Sequence, residues 1–574
     1  MHESLSISHQ MRGSDLPCAD EPLFDYEQVS VTDDTLEALL AETNATQHAA
    51  LFAIDNGKTL DPRLLAGAAC KVFPGDAEWP SPPTWDIFDK LLGGALIETV
   101  PVAAPCYKNL GLYDAGKCAI VRDNFTNPYF QEDDPTSIFW PLYQGRTCLP
   151  TPDPDGSNCT HGGFPVYAVN VSSVSHIQLA INFARNSDLR LVIKNTGHCY
   201  LGKSSGAGAL SIWTHNLKNI AYYPHLDVPA YSGPAMKIGA GVTSVGYAGG
   251  YIAGGGHTPL SGLYGMAADH VMALEVVTAD GRFITASAEE NADLYWALRG
   301  GGGSTFGVVT SIIIRVHPKV PVTTSVFSFR TSDKVSADTF WEGVRTYFSL
   351  FIPFTDAGTY SWFTLLNLNG SYSFDMGPFF APNHTIESFN VDVGLNAAGR
   401  ISVPGNRLLP RANWEDPAKF NATFAVIRNQ SEAGRRLYGY HQAPRNRANA
   451  DNAVNSAFRQ VICFLVFGGT LAPNPTPAQV KAASEELQNE IIAPFRAVAT
   501  ESEGGGAYLN EANVDEPQWQ AAFYGTHYPR LLELKRKYDP KDVFYATTAV
   551  GSERWEVRDG EQGVQTQNGR LCRL

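Results

Sequence analysis

The chain has 574 residues, of which 44% are apolar and 18% are charged, a composition typical of folded proteins and not of disordered ones. This length exceeds the size at which one hydrophobic core stops growing, so it predicts two or more domains. The 43 basic and 58 acidic residues give a net charge of −15. This balance argues against a nucleic-acid partner, because binding phosphates requires clustered Lys and Arg. We expect no membrane partner, since no apolar run approaches the roughly 20 residues that span a bilayer.

The first 160 residues show no sustained periodicity and are rich in Pro, Gly, Asp and Cys. They predict a loop-rich extension with short helices, such as one over 34–43. Cys106 with Cys118, and Cys148 with Cys159, form local pairs within loops, and we expect each pair to form a disulfide. The nine cysteines are an odd number, so at least one of them stays unpaired.

The pattern changes near residue 164. A strand-like stretch at 164–171 is followed by 174–187, where apolar residues recur at helical spacing. Two further strands are predicted at 190–194 and 208–214. This β-α-β-β order is typical of a domain in which helices pack on a sheet.

A second glycine-rich segment, 237–271, comes before a predicted hairpin at 272–287, which turns at Asp280-Gly281. A short helix at 291–300 and a strand at 307–318 follow it.

After Pro318 the chain enters a different region. It contains a strand at 322–331 and alternating strands over 358–376. A basic amphipathic helix is predicted within 527–545, ended by Asp-Pro.

Eight Asn-X-Ser/Thr sequons favour a secreted glycoprotein over a cytosolic enzyme with free thiols. The N-terminus shows no apolar core of a signal peptide. We therefore expect a secreted, extracellular protein whose signal peptide is not part of this sequence. N-glycans are expected at several of Asn44, Asn124, Asn158, Asn170, Asn369, Asn383, Asn421 and Asn429.

The glycine-rich loops 196–208 and 249–257 carry the first functional signal. Neither G-x-G-x-x-G nor the P-loop pattern occurs in the chain. Glycine loops can nevertheless cradle an anionic ligand through exposed backbone N–H groups. We favour this interpretation over glycines that only serve turns.

His198 and Cys199 stand side by side in the first of these loops, and metal binding is disfavoured. The chain has no C-x-x-C or H-E-x-x-H motif, and neighbouring side chains of an extended segment point to opposite sides. His198 remains open to three interpretations: a structural histidine, a general base or a cofactor anchor. The pattern G-x-S-x-G at 202–206 would suggest a serine hydrolase with Ser204, but a strand and not a helix is predicted to follow it.

Four segments of the chain are informative together. The first is LVIKNTGHCYLGKSSGAGALSIWTHNLKNI at 191–220. The others are GGHTPLSGLYGMAADHV at 255–271, DLYWALRGGGGSTFGVVTSI at 293–312 and YPRLLELKRKYDPKDVFY at 528–545. These segments resemble vanillyl-alcohol-oxidase-type flavoproteins, with an FAD-binding domain of PCMH type, in the berberine-bridge-enzyme-like branch, and the first resembles their covalent-flavin segment. Residues 68–81 and 547–557 resemble secreted fungal isoamyl alcohol oxidase-like proteins.

The resemblance implies an α+β fold with a bipartite FAD-binding domain and an inserted substrate domain built on an antiparallel sheet. We expect an N-terminal extension over 1–160, the FAD domain over 161–319, the substrate domain over 320–520 and a return over 521–574. It also implies a monomeric FAD-dependent oxidase that passes a hydride from an alcohol, a sugar or a secondary metabolite to the flavin, which O2 reoxidises to give H2O2. The alternatives are a degenerate member without flavin and, more weakly, the serine hydrolase.

In the family, the histidine that matches His198 is bonded to the flavin 8α-methyl position. No cysteine lies between Cys199 and Cys463, so we expect a single histidyl link and no cysteinyl one. Cys199 neighbours the anchor and is expected to point away from it. The resemblance places the cofactor beside Asn195, Thr196, Gly197, Cys199, Gly202, Gly255, Gly256, His257, Leu260, Gly262, Val309 and Tyr545.

Two catalytic candidates come from the predicted substrate domain. Glu511, in the segment YLNEAN at 508–513, could take the substrate's proton, although an ordinary surface glutamate fits this pattern too. Tyr360 is a candidate pocket wall on an alternating strand, and the same alternation also fits a core position.

One departure from the family concerns residues 243–245. The resemblance predicts a helix, a strand and a Gly-x-Cys-Pro-like turn between 236–242 and 246–257, but only three residues intervene. A helical crossover needs a dozen or more residues. We therefore expect part of the FAD domain to be missing at this junction.

Overall fold

The structure is a computed structural model, and it describes residues 23–57, 70–145, 147–228, 231–242, 245–383, 399, 401–446, 449–472, 475–560 and 566–574. Helices α1 to α18 are, in chain order, Asp25–Gln28, Asp33–Glu42, Ala49–Phe52, Pro82–Leu91, Ala115–Asn124, Pro128–Glu132, Val174–Asn186, Ser261–Tyr264, Ala292–Leu298, Ala337–Ser349, Phe351–Asp356, Ala412–Glu415, Pro417–Glu432, Ala457–Gln460, Pro477–Glu486, Ala493–Val498, Trp519–Tyr524 and Tyr528–Tyr538. Strands β1 to β17 are Leu96–Glu98, Tyr167–Asn170, Leu191–Lys194, Leu210–Trp213, Ile220–Val228, Tyr231–Gly239, Val271–Val277, Phe283–Ser287, Val308–Arg315, Val322–Arg330, Tyr360–Leu368, Ser371–Pro382, Ser402–Pro410, Leu437–His441, Val461–Thr470, Trp555–Arg558 and Arg570–Arg573.

The strands of the predicted β-α-β-β segment lie in a small sheet with the order β1-β2-β4-β3. β2, β4 and β3 run parallel, and β1 from the N-terminal extension adds an antiparallel edge strand. Helix α7 connects β2 to β3 and buries nearly all of its length, because its apolar residues recur at helical spacing. The predicted β-α-β-β order is confirmed. His198 lies in the loop that leaves the carboxyl end of β3.

A second sheet, in the order β5-β6-β9-β7-β8, is antiparallel throughout. The predicted hairpin is confirmed as β7 and β8, with Gly281 at φ +87° in its turn. The N-terminal extension packs against this sheet, because Glu27 is fully buried and forms an ion pair of 2.8 Å with the equally buried Lys237. The Glu27 carboxylate also accepts hydrogen bonds from Thr310 and Ser311.

The third large sheet has the order β10-β12-β11-β14-β15-β13 and is antiparallel, as the resemblance predicts. Its strands alternate between two faces. On one face, residues such as Phe363 and Leu365 pack against helices α10 and α11. On the other face, Phe464 and Val466 join the core that contains the glycine-rich segment around Ile252. This second face lies against the candidate site.

Three disulfides connect the described residues. The two predicted local pairs, Cys106–Cys118 and Cys148–Cys159, are confirmed. A third bridge, Cys70–Cys572, is not apparent from the sequence because 502 residues separate its two cysteines. Cys199 and Cys463 are free, and Cys18 lies outside the described residues. The expectation of at least one unpaired cysteine is therefore confirmed.

The α+β architecture expected from the resemblance is confirmed. It combines helices, antiparallel sheets and a loop-rich, disulfide-containing N-terminal extension. Within the described ranges, no helix is both long enough and apolar enough to cross a membrane.

Candidate functional site

The loop 195–202 after β3 is shaped by close contact with the N-terminal extension. Gly197 has φ +85°, and a Cβ there would lie 2.6 Å from the Ser137 carbonyl oxygen. Gly202 has φ +67°, and a Cβ there would lie 2.4 Å from the Tyr143 ring. Glycine is needed at both positions because any side chain would be strained and would clash. The two glycines therefore allow the segment 137–143 to pack closely against this loop. The sequence did not indicate this role.

His198 is held within this loop by aromatic neighbours. The Phe139 ring centroid lies 4.9 Å from that of His198, and the Tyr200 ring lies 6.0 Å away and nearly parallel. Burial lowers the pKa of His198 below its ordinary value, and the negative charge of Glu511 opposes this shift. The imidazole is therefore neutral at pH 7, which is the form that has a lone pair available for bonding.

His257 and Glu511 form the centre of the site. His257 Nε2 lies 3.4 Å from Glu511 Oε1, and the two side chains are 10% and 23% exposed. Among the described residues, His257 Nδ1 is buried without a hydrogen-bond partner. Five rings have centroids 5.3 to 6.5 Å from the His257 ring, and they belong to Tyr360, Tyr440, Phe458, Phe464 and Tyr508.

A tight turn places His257 at this point. Gly255 and Gly256 have φ values of +105° and +70°, and their carbonyl oxygens accept hydrogen bonds from Ala268 and Ala267. The Tyr251 hydroxyl donates to the His257 carbonyl oxygen at 2.7 Å. A side chain at Gly256 would meet the Tyr251 ring at 2.6 Å. These two glycines are therefore required by the fold of the loop.

The charge of Glu511 acts on six surrounding groups. It opposes the lowered pKa of His198. Five tyrosines have raised pKa values, in each case mainly because of burial, and Glu511 contributes to every one of these shifts. They are Tyr200, Tyr251, Tyr360, Tyr440 and Tyr508. All five hydroxyls are therefore protonated at neutral pH and can donate hydrogen bonds.

The six-stranded sheet holds two of these tyrosines, Tyr360 and Tyr440, and a buried hydrogen-bond network lies on its opposite face. His441 Nδ1 lies 2.7 Å from Ser361 Oγ and 3.0 Å from the Tyr347 hydroxyl, and His441 Nε2 lies 3.0 Å from Thr359 Oγ1. Ser361 and His441 are paired across β11 and β14. Each is the immediate chain neighbour of a site tyrosine, because Tyr360 precedes Ser361 and Tyr440 precedes His441.

This network predicts an acid-sensitive contribution to stability. Burial lowers the pKa of His441 to about 3, below the roughly 6.5 of an unfolded histidine. The stabilisation is therefore complete above about pH 6.5 and is lost as the pH falls towards 3. Between pH 7 and pH 4, we expect His441 to account for a loss of about 3 kcal/mol in the free energy of unfolding.

Urea unfolding of the wild type and His441→Gln at a series of pH values measures this loss. The variant cannot take up the proton, so its stability should fall less steeply with acid. Parallel curves for the two proteins would contradict the assignment. His225→Gln, at an exposed surface position, is the matched control and should behave like the wild type.

Other predicted residues are placed as follows. Leu260 is the residue before α8, and a Cβ on Gly262 in α8 would lie 2.7 Å from the Gly358 carbonyl oxygen. Gly262 therefore lets the start of β11, which carries Tyr360, approach closely. Thr196 is buried in the His198 loop, and Val309 packs on β9 against the main core.

The contacts of two further predicted residues lie elsewhere in the protein. Tyr545 packs with Trp555 and Leu571, and the Arg190 guanidinium lies 5.9 Å from its ring centroid. Cys199 is close enough to Tyr143 and Lys203 to influence the pKa of each.

Ser204 lacks the context of a hydrolase nucleophile. It lies in the loop between β3 and β4, and a strand and not a helix follows it. The motif therefore does not form the strand–turn–helix elbow on which such a nucleophile depends. In the described part of the chain, no group of three or more His, Cys, Asp or Glu side chains could hold a metal ion.

Sequence reasoning did not single out several site residues. Tyr508 and Asn510 stand within three residues of Glu511, and this closeness in sequence was the signal that could have found them. The Asn510 amide donates to the Tyr508 hydroxyl oxygen at 2.9 Å and to the Gly250 carbonyl oxygen at 3.0 Å. Tyr200 lies beside His198. No sequence signal places the others beside His257, and they are Tyr251, Tyr440, Phe458 and Phe464.

The residues present fit a dinucleotide with an anionic diphosphate. Among the described residues, the buried Asn195 Oδ1 and Lys203 Nζ have no hydrogen-bond partner. A buried ammonium group without a counter-charge is costly, and a phosphate would supply that charge. A Cβ added at Gly249 or Gly250 would meet no atom within 4 Å. These two glycines therefore border open space.

The short junction after β6, around residues 240–246, is hydrogen-bonded to the loop that carries His198. Thr243 and Ser244 lie outside the described residues. Around them, residues 240–242 and 245–246 form neither helix nor strand, and the Tyr247 N–H donates to the Val242 carbonyl oxygen at 3.4 Å. The Asn195 amide donates to the Ala240 carbonyl oxygen at 2.7 Å. The loop that carries His198 is thus bonded directly to the end of β6.

Known protein families match two parts of the chain. Residues 235–287 match the family described as an FAD binding domain, on both sides of the short junction. Residues 507–551 match the family described as berberine and berberine like, and this match includes Glu511.

Curated relatives match over most of the chain. The VAO-type flavoprotein oxidase VAO615 of Thermothelomyces thermophilus is 35% identical over 88% of this chain and 95% of its own length. The FAD-linked oxidoreductase sor8 of Hypocrea jecorina is 34% identical over 89% of this chain and 94% of its own. The FAD-linked oxidoreductase patO of Aspergillus clavatus is 34% identical over 88% and 94%.

Solved structures agree with these matches. The crystal structure of the VAO-type flavoprotein MtVAO615 from Myceliophthora thermophila superposes with a TM-score of 0.77 at 33% identity, and covers 88% of this chain and 100% of its own. Berberine bridge enzyme from Eschscholzia californica shares the fold, with a TM-score of 0.55 at 15% identity over 75% of this chain and 94% of its own. The chain therefore belongs to the VAO-type family of FAD-linked oxidoreductases.

Proposed function

We propose that this protein is a secreted oxidase that carries FAD on a single covalent link through His198. Its substrate is an alcohol, a sugar or a secondary metabolite. One observation supports this proposal most strongly: Glu511 lies beside His257, and its charge acts on His198 and on five site tyrosines. The residues that we propose as proton acceptor, cofactor anchor and substrate wall therefore lie close together, which supports the proposal.

When bound, FAD would supply the hydride acceptor for the substrate and the route of the electrons to O2, with H2O2 as the product. His198 would hold it, because its imidazole is neutral and its loop is fixed by the segment 137–143. Lys203 Nζ would offset the diphosphate charge, and Asn195 Oδ1 would accept a hydrogen bond. The glycine surface at Gly249 and Gly250 would leave room for the flat ring.

Glu511 would take the proton of the substrate hydroxyl. Its carboxylate is partly exposed and faces five protonated tyrosines, so it is the natural acceptor in this environment. His257 Nε2, 3.4 Å from Glu511 Oε1, would hold the carboxylate in place and share its proton. Tyr360 would form part of the substrate wall.

The proposals of secretion and N-glycosylation are supported by the exposure of the sequon asparagines and by the disulfides. Six of the eight sequon asparagines are exposed, namely Asn44, Asn158, Asn369, Asn383, Asn421 and Asn429. Three disulfides favour an oxidising compartment. We propose that the protein acts as a monomer, with the domain limits expected from the sequence.

Anaerobic spectroscopy of the purified protein tests the proposed activity. A panel of alcohols and sugars is added under nitrogen, and a substrate should bleach the flavin absorbance. Air should then restore the absorbance and release one H2O2 for each substrate oxidised. A purified protein without flavin bands would instead support the alternative of a degenerate member, which the short junction at 243–245 favours.

A further inference from the structure

We propose that Asn510 is a positioning residue, which holds Glu511 against the glycine-rich loop 249–257 and fixes the direction in which the Tyr508 hydroxyl donates. The inference rests on the proposed function, because it concerns how the site keeps its carboxylate in place. Nothing in the sequence motifs or in the relatives assigns this role to Asn510.

Glu511 lies on a short segment that bridges two parts of the molecule. Towards the six-stranded sheet, the Tyr508 N–H donates to Asn406 Oδ1 at 2.8 Å, and the Asn406 amide donates back to the Tyr508 carbonyl oxygen at 2.9 Å. Towards the glycine-rich loop, the Asn510 amide donates to the Gly250 carbonyl oxygen at 3.0 Å. Asn510 therefore joins the segment of Glu511 to the glycine-rich loop.

Gly254 shows how closely the segment and the loop fit together. It is buried, and a Cβ added there would lie 2.3 Å from Asn510 Nδ2 and 2.4 Å from Asn510 Cγ. Gly254 lies three residues before His257, whose Nε2 is 3.4 Å from Glu511 Oε1. Since Asn510 and Glu511 are neighbours in the chain, an amide that leaves the loop would draw the carboxylate away from His257.

The bonds of Asn510 also determine how the Tyr508 hydroxyl is used. A carbonyl oxygen only accepts, so the Asn510 atom that faces the Gly250 carbonyl must be the nitrogen of the amide. The same Nδ2 lies 2.9 Å from the Tyr508 hydroxyl oxygen, which therefore accepts the second amide hydrogen. The Tyr508 proton is left to be donated to another partner. The Tyr508 ring centroid lies 5.3 Å from that of His257, so this proton is available to the site.

Three single variants separate this role from simple packing. Asn510→Ala removes the amide. Asn510→Asp keeps its size, but a carboxylate can only accept, so it faces the Gly250 carbonyl oxygen with no proton to share. Gly254→Ala keeps the amide and displaces it, and the backbone of Gly254 lies outside the left-handed region that favours glycine. All three should loosen the contact, whereas aspartate would replace a merely space-filling side chain without loss.

Hydrogen exchange followed by mass spectrometry measures this contact on the purified holoprotein and does not depend on turnover. We expect the amides of 246–257 to exchange faster in each of the three variants, by about tenfold or more. Asn219→Ala, at an exposed position, is the matched control and should exchange like the wild type. Unchanged exchange in Asn510→Asp would overturn the proposal, because the size of the side chain would then be sufficient.

Stopped-flow measurement of the anaerobic bleaching of the flavin shows whether the contact acts through Glu511. The bleaching rate in Asn510→Ala should fall by about tenfold, because the carboxylate is no longer held in place. In a Glu511→Gln background, the same replacement should change the rate by no more than about twofold, since the group that it positions is already gone. Equal factors in the two backgrounds would overturn the proposal. A wild-type protein that no substrate bleaches would contradict the proposed function instead, and hydrogen exchange would still decide the role of Asn510.

Discussion

Replacing His198 by alanine is expected to release the flavin from the protein. In the wild type, the yellow colour should stay with the precipitate after denaturation in acid, because the cofactor is bonded to the chain. In the variant, the colour should pass entirely to the supernatant. The physical reason is that His198 is the neutral, partly buried imidazole at the centre of the rigid loop after β3.

The matched control is Cys199→Ala, which removes the neighbouring thiol and should leave the colour in the precipitate. Colour that remains with the His198→Ala protein would show that another residue forms the bond. Circular dichroism of both variants establishes that they are folded, so a loss of colour can be assigned to the missing bond.

The second large effect is expected from Glu511→Gln. The amide keeps the size of the side chain and cannot accept a proton, so kcat should fall by a factor of about 10² to 10⁴. KM for an uncharged substrate should change little, since the glutamine can still donate and accept hydrogen bonds. Stopped-flow measurement of the anaerobic bleaching of the flavin isolates the step in which the proton is lost.

A reduction rate within about threefold of the wild type would assign the proton to another group, because loss of a general base costs far more. Glu511→Asp is the informative companion variant. It retains the carboxylate but withdraws it from the substrate, so it should recover part of the rate. A similar loss in both variants would point to a structural role for the contact with His257.

Much of the fold could be predicted from local patterns. The helix Val174–Asn186 follows from apolar residues at helical spacing, and the hairpin Val271–Val277 with Phe283–Ser287 follows from Asp280-Gly281 between two alternating strands. The disulfides Cys106–Cys118 and Cys148–Cys159 are local as well. These features depend on residues close in sequence, which is why the pattern was sufficient.

The remaining features depend on distant parts of the chain. The bridge Cys70–Cys572 joins the N-terminal extension to the C-terminal strand β17. The segment 137–143 reaches the His198 loop only because Gly197 and Gly202 lack side chains. The sequence suggested that these glycines made room for a cofactor, whereas the structure shows the protein chain itself packed against them.

The candidate site also combines residues that the sequence identifies with residues that only the fold brings together. His198, His257, Glu511 and Tyr360 were named from the sequence, and the structure collects them around one centre. Tyr440 and Phe464 come from two further strands of the six-stranded sheet, and their pairing is set by register and not by spacing. Nothing near them in the sequence indicates a ligand, so their place in the wall became visible only in the folded protein.

Mass spectrometry of one tryptic peptide tests the central claim most directly. Trypsin cleaves after Lys194 and Lys203, and this releases the peptide NTGHCYLGK at 195–203. The account predicts that this peptide from the purified wild type carries the added mass of the flavin, with the modification on His198 in the fragment spectrum. The same peptide recovered wholly unmodified, or modified on Cys199, would contradict it.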